Sequence, residues 1–313
     1  MQTYILRRLI ALVPVLLVVA VVLFALVRLT PGDPTSILLG ELATEADRAA
    51  LRRQLGLDDP LPIQFLRWTS DAARGDLGRS VFFKQPVTEA ILARFEPTWL
   101  LTVYALLVAT VVGVPLGTYA ALRRGSLVDR LLMLGSLLGL SVPSFLIGLL
   151  LIWFVSVELR LLPSGGYRPL SEGPVGTLVS LTLPAMSLAL TQVALVARMS
   201  RAAVLEIAEA DHVRTAHAKG LRLRTVVRRH ILRNALIPIV TIIGLSFAVL
   251  MGGTVVVELL FDLPGVGRLV IQSVLRRDYA VIQGAVLYVT LAIMVVNLVV
   301  DIIYAWLDPQ VRY

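Results

Sequence analysis

The chain has 313 residues, of which 57% are hydrophobic and only 16% are charged, and its mean hydropathy is +0.83. Soluble domains carry about a quarter charged residues, so lipid must be the solvent for much of this protein. The formal net charge of +8 raises the possibility of nucleic-acid binding, but basic residues in membrane proteins mark cytoplasmic loops, and the absence of cysteine excludes disulfides and thiolate metal sites.

Six stretches without Asp, Glu, Lys or Arg are about as long as the 20 residues that cross a bilayer as a helix. They are 9–27, 97–122, 131–157, 173–197, 234–257 and 279–300. We therefore predict an all-α integral membrane protein with six transmembrane helices. Residues 1–30 form an anchor helix, because no small-x-small cleavage site follows it. The fourth helix is expected to start near Leu178, after Gly173, Pro174 and Gly176.

The distribution of basic residues predicts the orientation. With the N-terminus inside, the cytoplasmic segments hold 15 Lys and Arg against six Asp and Glu, whereas the other side holds 14 against 15. Nine of the cytoplasmic basic residues lie between Arg198 and Arg233. The excess of positive charge on one side predicts that both termini are cytoplasmic.

Residues 31–94 form a long external segment after the first helix. Thr44 can cap a short helix through Leu55, with Gly56 as its stop signal. Further on, an apolar face recurs at helical spacing, at Leu61, Phe65, Trp68 and Ala72. The segment can be a packed cap over the helix ends, a docking surface for an external partner, or both.

The cytoplasmic segment 198–233 separates the fourth and fifth spans. Alanines at 210, 216 and 218 favour a helix and leave little bulk, so that another protein could approach closely. Gly220 can end this helix in a left-handed conformation. The alternative is a loop whose arginines hold anionic headgroups, and this explains Arg222, Arg224, Arg228 and Arg229 ahead of the fifth span.

Several kinds of chemistry have no motif here. No Gly-x-x-x-x-Gly-Lys-Ser/Thr loop occurs, and the three histidines in the basic segment lack metal-ligand spacing. No charged residue lies within the predicted spans, which disfavours an ion-coupled secondary transporter, and no nucleophile–base pair indicates a membrane enzyme. Polar residues that could line a water-filled path, or bond between helices, are Ser141, Ser144, Gln192, Ser246 and Gln283.

Several motifs together resemble one family along the whole chain. They include Arg74-Gly-Asp-Leu-Gly-Arg-Ser80, Asp211-His-Val-Arg-Thr-Ala-His-Ala-Lys-Gly-Leu221 and Asp262-Leu-Pro-Gly-Val-Gly-Arg268. The sequence resembles the permease subunits of dipeptide, oligopeptide and nickel ABC importers, in the branch encoded as the first of two permeases. The resemblance implies a type I importer permease fold over residues 95–305, followed by a cytoplasmic tail at 306–313.

In this superfamily a cytoplasmic coupling helix sits in a groove of the ATPase. By resemblance the coupling role falls on twelve consecutive residues: Ala210, Asp211, His212, Val213, Arg214, Thr215, Ala216, His217, Ala218, Lys219, Gly220 and Leu221.

The resemblance also implies the partners and the location. They are a second, homologous permease, two cytoplasmic ABC ATPases, an external solute-binding protein and the lipid bilayer of a bacterial inner membrane, without nucleic acid. ATP and Mg²⁺ would bind to the ATPases, so this chain holds no cofactor or metal of its own and is not an enzyme. The cargo stays open among dipeptides, longer peptides, glutathione and nickel chelates.

The orientation can be tested with single cysteines, because the chain has none of its own. We expect Ser70→Cys to react with an impermeant thiol reagent in intact spheroplasts and Ala218→Cys to react only after the membrane is opened. Labelling in the reverse order would overturn the predicted orientation.

Overall fold

The computed structural model describes residues 2–29, 44–54 and 57–307, and in these ranges the chain forms helices and no β-strand. The turn at 31–34 and the tail beyond 307 lie outside the described residues. The helices are α1 (Gln2–Leu29), α2 (Glu45–Gln54), α3 (Leu61–Ala73), α4 (Val87–Leu122), α5 (Leu127–Ser141), α6 (Ser144–Leu151), α7 (Pro174–Ala208), α8 (Asp211–Ala218), α9 (Arg233–Leu260), α10 (Val266–Leu275) and α11 (Tyr279–Leu307).

Five helical stretches are long and apolar enough to cross a membrane. They are Arg7–Val27, Val87–Leu122, Pro174–Ala208, Leu223–Leu260 and Tyr279–Ala305. The pair α5 and α6, with its continuation to Glu158, is apolar and long enough to be a sixth span if its two halves are counted as one. The prediction of an all-α protein with six spans is therefore confirmed.

The third span is not the continuous helix that was predicted over 131–157. Its two halves are bent by 96° between Ser141 and Ser144. Proline 143 lacks an N–H group and crowds the preceding residue, so Val142 leaves the helical region (φ −90°, ψ 123°) and Pro143 becomes the cap of α6. The run of uncharged residues predicted the length of the span but did not predict this break.

The fourth span begins earlier than predicted. Helix α7 starts at Pro174, with Gly173 (φ +123°) as its N-cap, and not near Leu178. Proline is favourable at the first helical position, because its missing N–H has no partner there in any case. The glycines and the proline thus mark the start of the helix and do not delay it.

The chain folds as two compact units, one of which comprises residues 7–94 and 269–291. Here the predicted cap of α2 is confirmed: Thr44 Oγ1 accepts a bond from Asp47 N at 3.2 Å, and Thr44 N donates to Asp47 Oδ2 at 3.2 Å. Helix α2 ends at Gln54, while Leu55 and Gly56 lie outside the described residues.

The apolar face of α3 is used inside the same unit. Phe65 packs edge to face on Phe24 of α1 with ring centroids 5.4 Å apart, and Trp68 lies tilted to the same ring at 6.3 Å, while Leu61 stays exposed. This contact gives the face a structural role and favours the reading of α3 as a packed cap.

The other unit comprises, within the described chain, residues 2–6, 95–268 and 292–307, and α7 is its central helix. The most apolar window of α7 is 61% buried, against 33% for α4. Helices α4 and α7 touch through Gly113 and Gly117. A Cβ atom on Gly117 would lie 2.2 Å from the carbonyl oxygen of Ala197. Small residues four apart allow two membrane helices to approach to this distance.

We expect Gly117→Ala to destabilise the fold by about 1–3 kcal/mol, because the added methyl group meets backbone that cannot move away. The measurement is the midpoint of thermal unfolding of the purified chain in detergent. Gly135→Ala is the matched control, since nothing lies within 4 Å of a Cβ there. Equal midpoints for the two variants would contradict the close approach.

Candidate functional site

Helix α8 (Asp211–Ala218) lies between α7 and α9 and contains eight of the twelve residues singled out in the sequence; Ala210 precedes it, and Lys219, Gly220 and Leu221 follow it. It begins after Ala210 (φ −70°, ψ 149°), which offers no side-chain cap. Asp211 in the first turn places a carboxylate near the N-terminal end of the helix, where the helix dipole favours negative charge. The helix forms where the alanines predicted it.

The end of α8 is a glycine turn. Gly220 has φ +73°, the left-handed conformation predicted for it. Its N–H group donates to the oxygen of His217 at 2.9 Å, and that of Leu221 donates to the oxygen of Ala216 at 3.4 Å. These two bonds are the Schellman pattern, which satisfies the free carbonyls of the last turn and reverses the chain toward α9.

Helix α8 has one buried and one exposed face, and Ala216 lies on the buried face. Val213 and Ala216 are buried, at 1% and 4% exposure, in a cluster with Val226, Ile231 and Ala235. Because Ala216 packs inside the chain, it does not provide the close approach to another protein that its small side chain suggested. The opposite face is the exposed one, and it carries Asp211, Arg214, Thr215 and Ala218.

Between α8 and α9 the chain forms a wide turn of seven residues, Val226–Leu232, in π-helical geometry, which we call the π segment. Its i→i+5 pattern places Val226 and Ile231, five residues apart, on the same side, facing α8. A polar contact joins the same elements: the Asn234 amide nitrogen lies 3.1 Å from His212 Nε2 and donates to the oxygen of His230 at 3.0 Å. Helix α8 is therefore held against the start of α9 by both apolar and polar contacts.

His212 and His230 take part in hydrogen bonds between α8 and the π segment. Among the described residues, no group of three His, Asp or Glu side chains comes close enough to hold a metal ion.

Ion pairs fix the frame that carries α8. Arg201 of α7 binds the carboxylate of Asp129 at the start of α5 with two nitrogen–oxygen distances, 2.5 and 2.8 Å. Arg124 bridges to Glu209, just before α8, at 2.5 Å. The paired carboxylates and guanidinium groups are far apart in sequence, so the sequence alone did not signal these contacts.

The polar residues proposed for a path do not share one environment. Ser246 is fully buried and Gln192 is 7% exposed, and neither the Ser246 hydroxyl nor the Gln192 side-chain oxygen has a partner among the described residues. Ser141 is exposed and bonds the oxygen of Leu137 at 2.9 Å, while Ser144 is half-buried. Gln283 belongs to the other unit and donates to the oxygen of Leu23 at 3.1 Å.

One buried carboxylate was missed. The fifth predicted span stopped at Val257, but α9 continues to Leu260, so Glu258 lies within a membrane-spanning helix, near its end, and is fully buried. It accepts bonds from Thr98 Oγ1 at 2.6 Å and from Arg268 N at 2.8 Å. The sequence feature that accompanies Glu258 is the glycine at 265, because a Cβ atom at that position would lie 2.2 Å from the Glu258 carboxylate carbon. The glycine-rich motif is folded around this acid.

Comparison with known proteins gives a consistent result along the chain. A family model described as "binding-protein-dependent transport system inner membrane component" matches residues 113–313, and the corresponding N-terminal model matches residues 1–102. The chain is 42% identical to a probable peptide ABC transporter permease of Sinorhizobium fredii and 43% identical to a glutathione transport system permease of Pectobacterium atrosepticum. Both comparisons span all 313 residues and the full length of the relative.

The fold also has a solved counterpart. The inward-facing MetNI methionine ABC transporter matches with a TM-score of 0.56 and 18% identity, over 69% of this chain and 95% of that one. At this identity the match speaks for the fold alone.

The two alanines of α8 allow a direct test of its faces. We expect Ala216→Glu to lower the thermal unfolding midpoint of the purified chain, because a carboxylate in the apolar cluster loses its hydration without gaining a partner, at a cost of several kcal/mol. Ala218→Glu, on the exposed face, should stay within about 0.5 kcal/mol of the parent. If the two variants unfold alike, the assignment of the faces is wrong.

Proposed function

The chain belongs to the family of binding-protein-dependent transport system inner membrane components, and on that premise we propose that it forms half of the translocation path of an ATP-driven importer for peptides or a peptide-like solute. The supporting observation is the end-to-end similarity to peptide and glutathione permeases at 42–43% identity. Nickel chelates stay among the candidate cargoes, on the family resemblance.

The partners follow from the same family. We propose that a second, homologous permease completes the path, that two ATPase subunits drive it from the cytoplasm and that an external solute-binding protein delivers the cargo. The sequence has no Walker-type loop. ATP and Mg²⁺ would therefore bind to the ATPase subunits, and this chain would convert their motion into a change of access.

The coupling surface that we propose is the exposed face of α8, formed by Asp211, Arg214, Thr215 and Ala218. Ala218 lies on the side of the helix away from Val213 and Ala216, and its small side chain lets a groove of another protein close around the helix. The charged residues beside it, Asp211 and Arg214, are exposed and would fix the orientation of the contact.

The route from α8 to the path is short. Because Val213 and Ala216 pack on Val226 and Ile231, and Asn234 bonds His230 and approaches His212, a force on α8 passes to the start of α9 without a flexible linker. In the proposed cycle, ATP binding draws the coupling helices of the two permeases together and turns the cavity outward. Hydrolysis then resets the cavity to face inward.

Valine variants at two left-handed glycines can distinguish an effect on coupling from an effect on folding. Gly220 (φ +73°) and Gly125 (φ +79°) are both left-handed, and nothing lies within 4 Å of a Cβ at either. Valine therefore imposes a similar backbone strain at both positions, about 1–2 kcal/mol. In the assembled importer in proteoliposomes, we expect Gly220→Val to lower solute uptake per ATP hydrolysed by about five- to thirtyfold, the factor that corresponds to this strain.

Gly125→Val is the control and should keep its uptake per ATP near that of the parent, because Gly125 lies outside the α8 turn. Normal coupling in Gly220→Val at normal assembly would remove this turn from the mechanism. Equal loss in both variants would assign the effect to folding.

A further inference from the structure

A cavity of about 660 Å³ opens beside the π segment. Its lining does not include Val226 or Ile231, the residues that pack under α8. It includes four arginines: Arg224, Arg228, Arg229 and Arg233. The cavity is thus separate from the proposed coupling face but is built on the same seven-residue turn.

The π geometry explains why the four arginines meet. Nine residues make about two and a half turns of α-helix, which would place Arg224 and Arg233 on opposite sides. The i→i+5 turns between them lengthen the repeat, so that residues spaced four or five apart fall on one side. Such wide turns are frequent at functional sites. The wider helical repeat therefore brings four like charges to one side of the segment.

Among the described residues, no carboxylate forms an ion pair with this cluster. Within the described part of the chain, none of the four arginines has an Asp or Glu oxygen within 4.0 Å, whereas Arg124, Arg201 and Arg214 are all paired. Guanidinium groups offer fixed forks of donors that match phosphate and carboxylate oxygens. The arginine side of the cavity is therefore suited to bind an anion.

Apart from the arginines and Thr225, the lining of the cavity is apolar. Leu232, Leu236 and Ile239 line it from the π segment and α9, and Val114 lines it from α4. A zwitterionic peptide would need an acid for its ammonium group, and no Asp or Glu of the described ranges lines the cavity. A ligand with an anionic head and a hydrocarbon tail satisfies both parts of the wall. We propose that this cavity binds one acidic phospholipid, with its phosphate on the arginines and an acyl chain along Leu236 and Ile239.

The consequence for the transporter is regulatory. The bound lipid would hold the π segment, and the opposite side of that segment carries α8 through Val226 and Ile231. The site goes beyond the proposed transport function, and lipid binding can be measured without partner subunits or cargo.

The test is native mass spectrometry of the purified full-length chain, titrated with dioleoylphosphatidylglycerol or dioleoylphosphatidylcholine. We expect one phosphatidylglycerol molecule to bind tightly to each chain, and we expect phosphatidylcholine not to bind with comparable affinity. Arg228→Gln/Arg229→Gln should weaken phosphatidylglycerol binding about thirtyfold, equivalent to about 2 kcal/mol, as expected for two basic residues at an anionic lipid surface. The matched control is Arg130→Gln/Arg198→Gln, which removes the same charge from exposed positions outside the cavity and should change binding less than threefold.

Three results would overturn the proposal. Equal losses in the two double variants would indicate general attraction to basic surface and no built site. Competition by inorganic phosphate as effective as that of the lipid would indicate a site for the anion alone. Unchanged lipid binding in Leu236→Gln, a variant of a partly exposed side chain that should not disturb folding, would exclude the acyl chain from the cavity.

Discussion

The close packing of α4 and α9 around α7 is the constraint on which the rest of the structure depends. Lipid offers no hydrophobic drive between apolar helices, so their association relies on van der Waals contact, and contact at this distance requires residues without bulk. Gly113 and Gly117 supply it against α7, and Gly244 supplies it between α9 and Val300 of α11. With α7 held in this way, the helix that leaves its end, α8, starts from a fixed position.

The sequence was sufficient for the features that depend on solvent and on local backbone preference. Charge-free runs of about 20 residues located the spans, because lipid excludes charge. The glycine at 220 located the end of α8, because few other residues adopt φ +73°. The break in the third span lies at Pro143, but its angle could not be predicted from the sequence, because it depends on where the two halves pack.

Features that depend on contacts between distant segments were beyond the sequence. Ala216 and Ala218 have the same side chain and lie on the same short helix. Ala216 is the buried one because Val226 and Ile231 pack against its side of the helix. The π segment has no local signature, and without it the four cavity arginines would not share a side. Glu258 fell one residue beyond a span whose limit was set by counting charges, although the structure satisfies that charge internally.

Glu258 also determines how α9 can move. At its far end the helix is tied by this carboxylate to Thr98 of α4 and to the backbone of Arg268, whereas its near end continues from the π segment. A helix of 28 residues is about 42 Å long. Arg233, at the near end, lies 25 residues from Glu258, or about 38 Å along the helix. A tilt of about 5° that kept the Glu258 contacts would move the near end by roughly 3 Å over that distance. The buried acid therefore limits where α9 could move most, because any such displacement would grow with distance from Glu258.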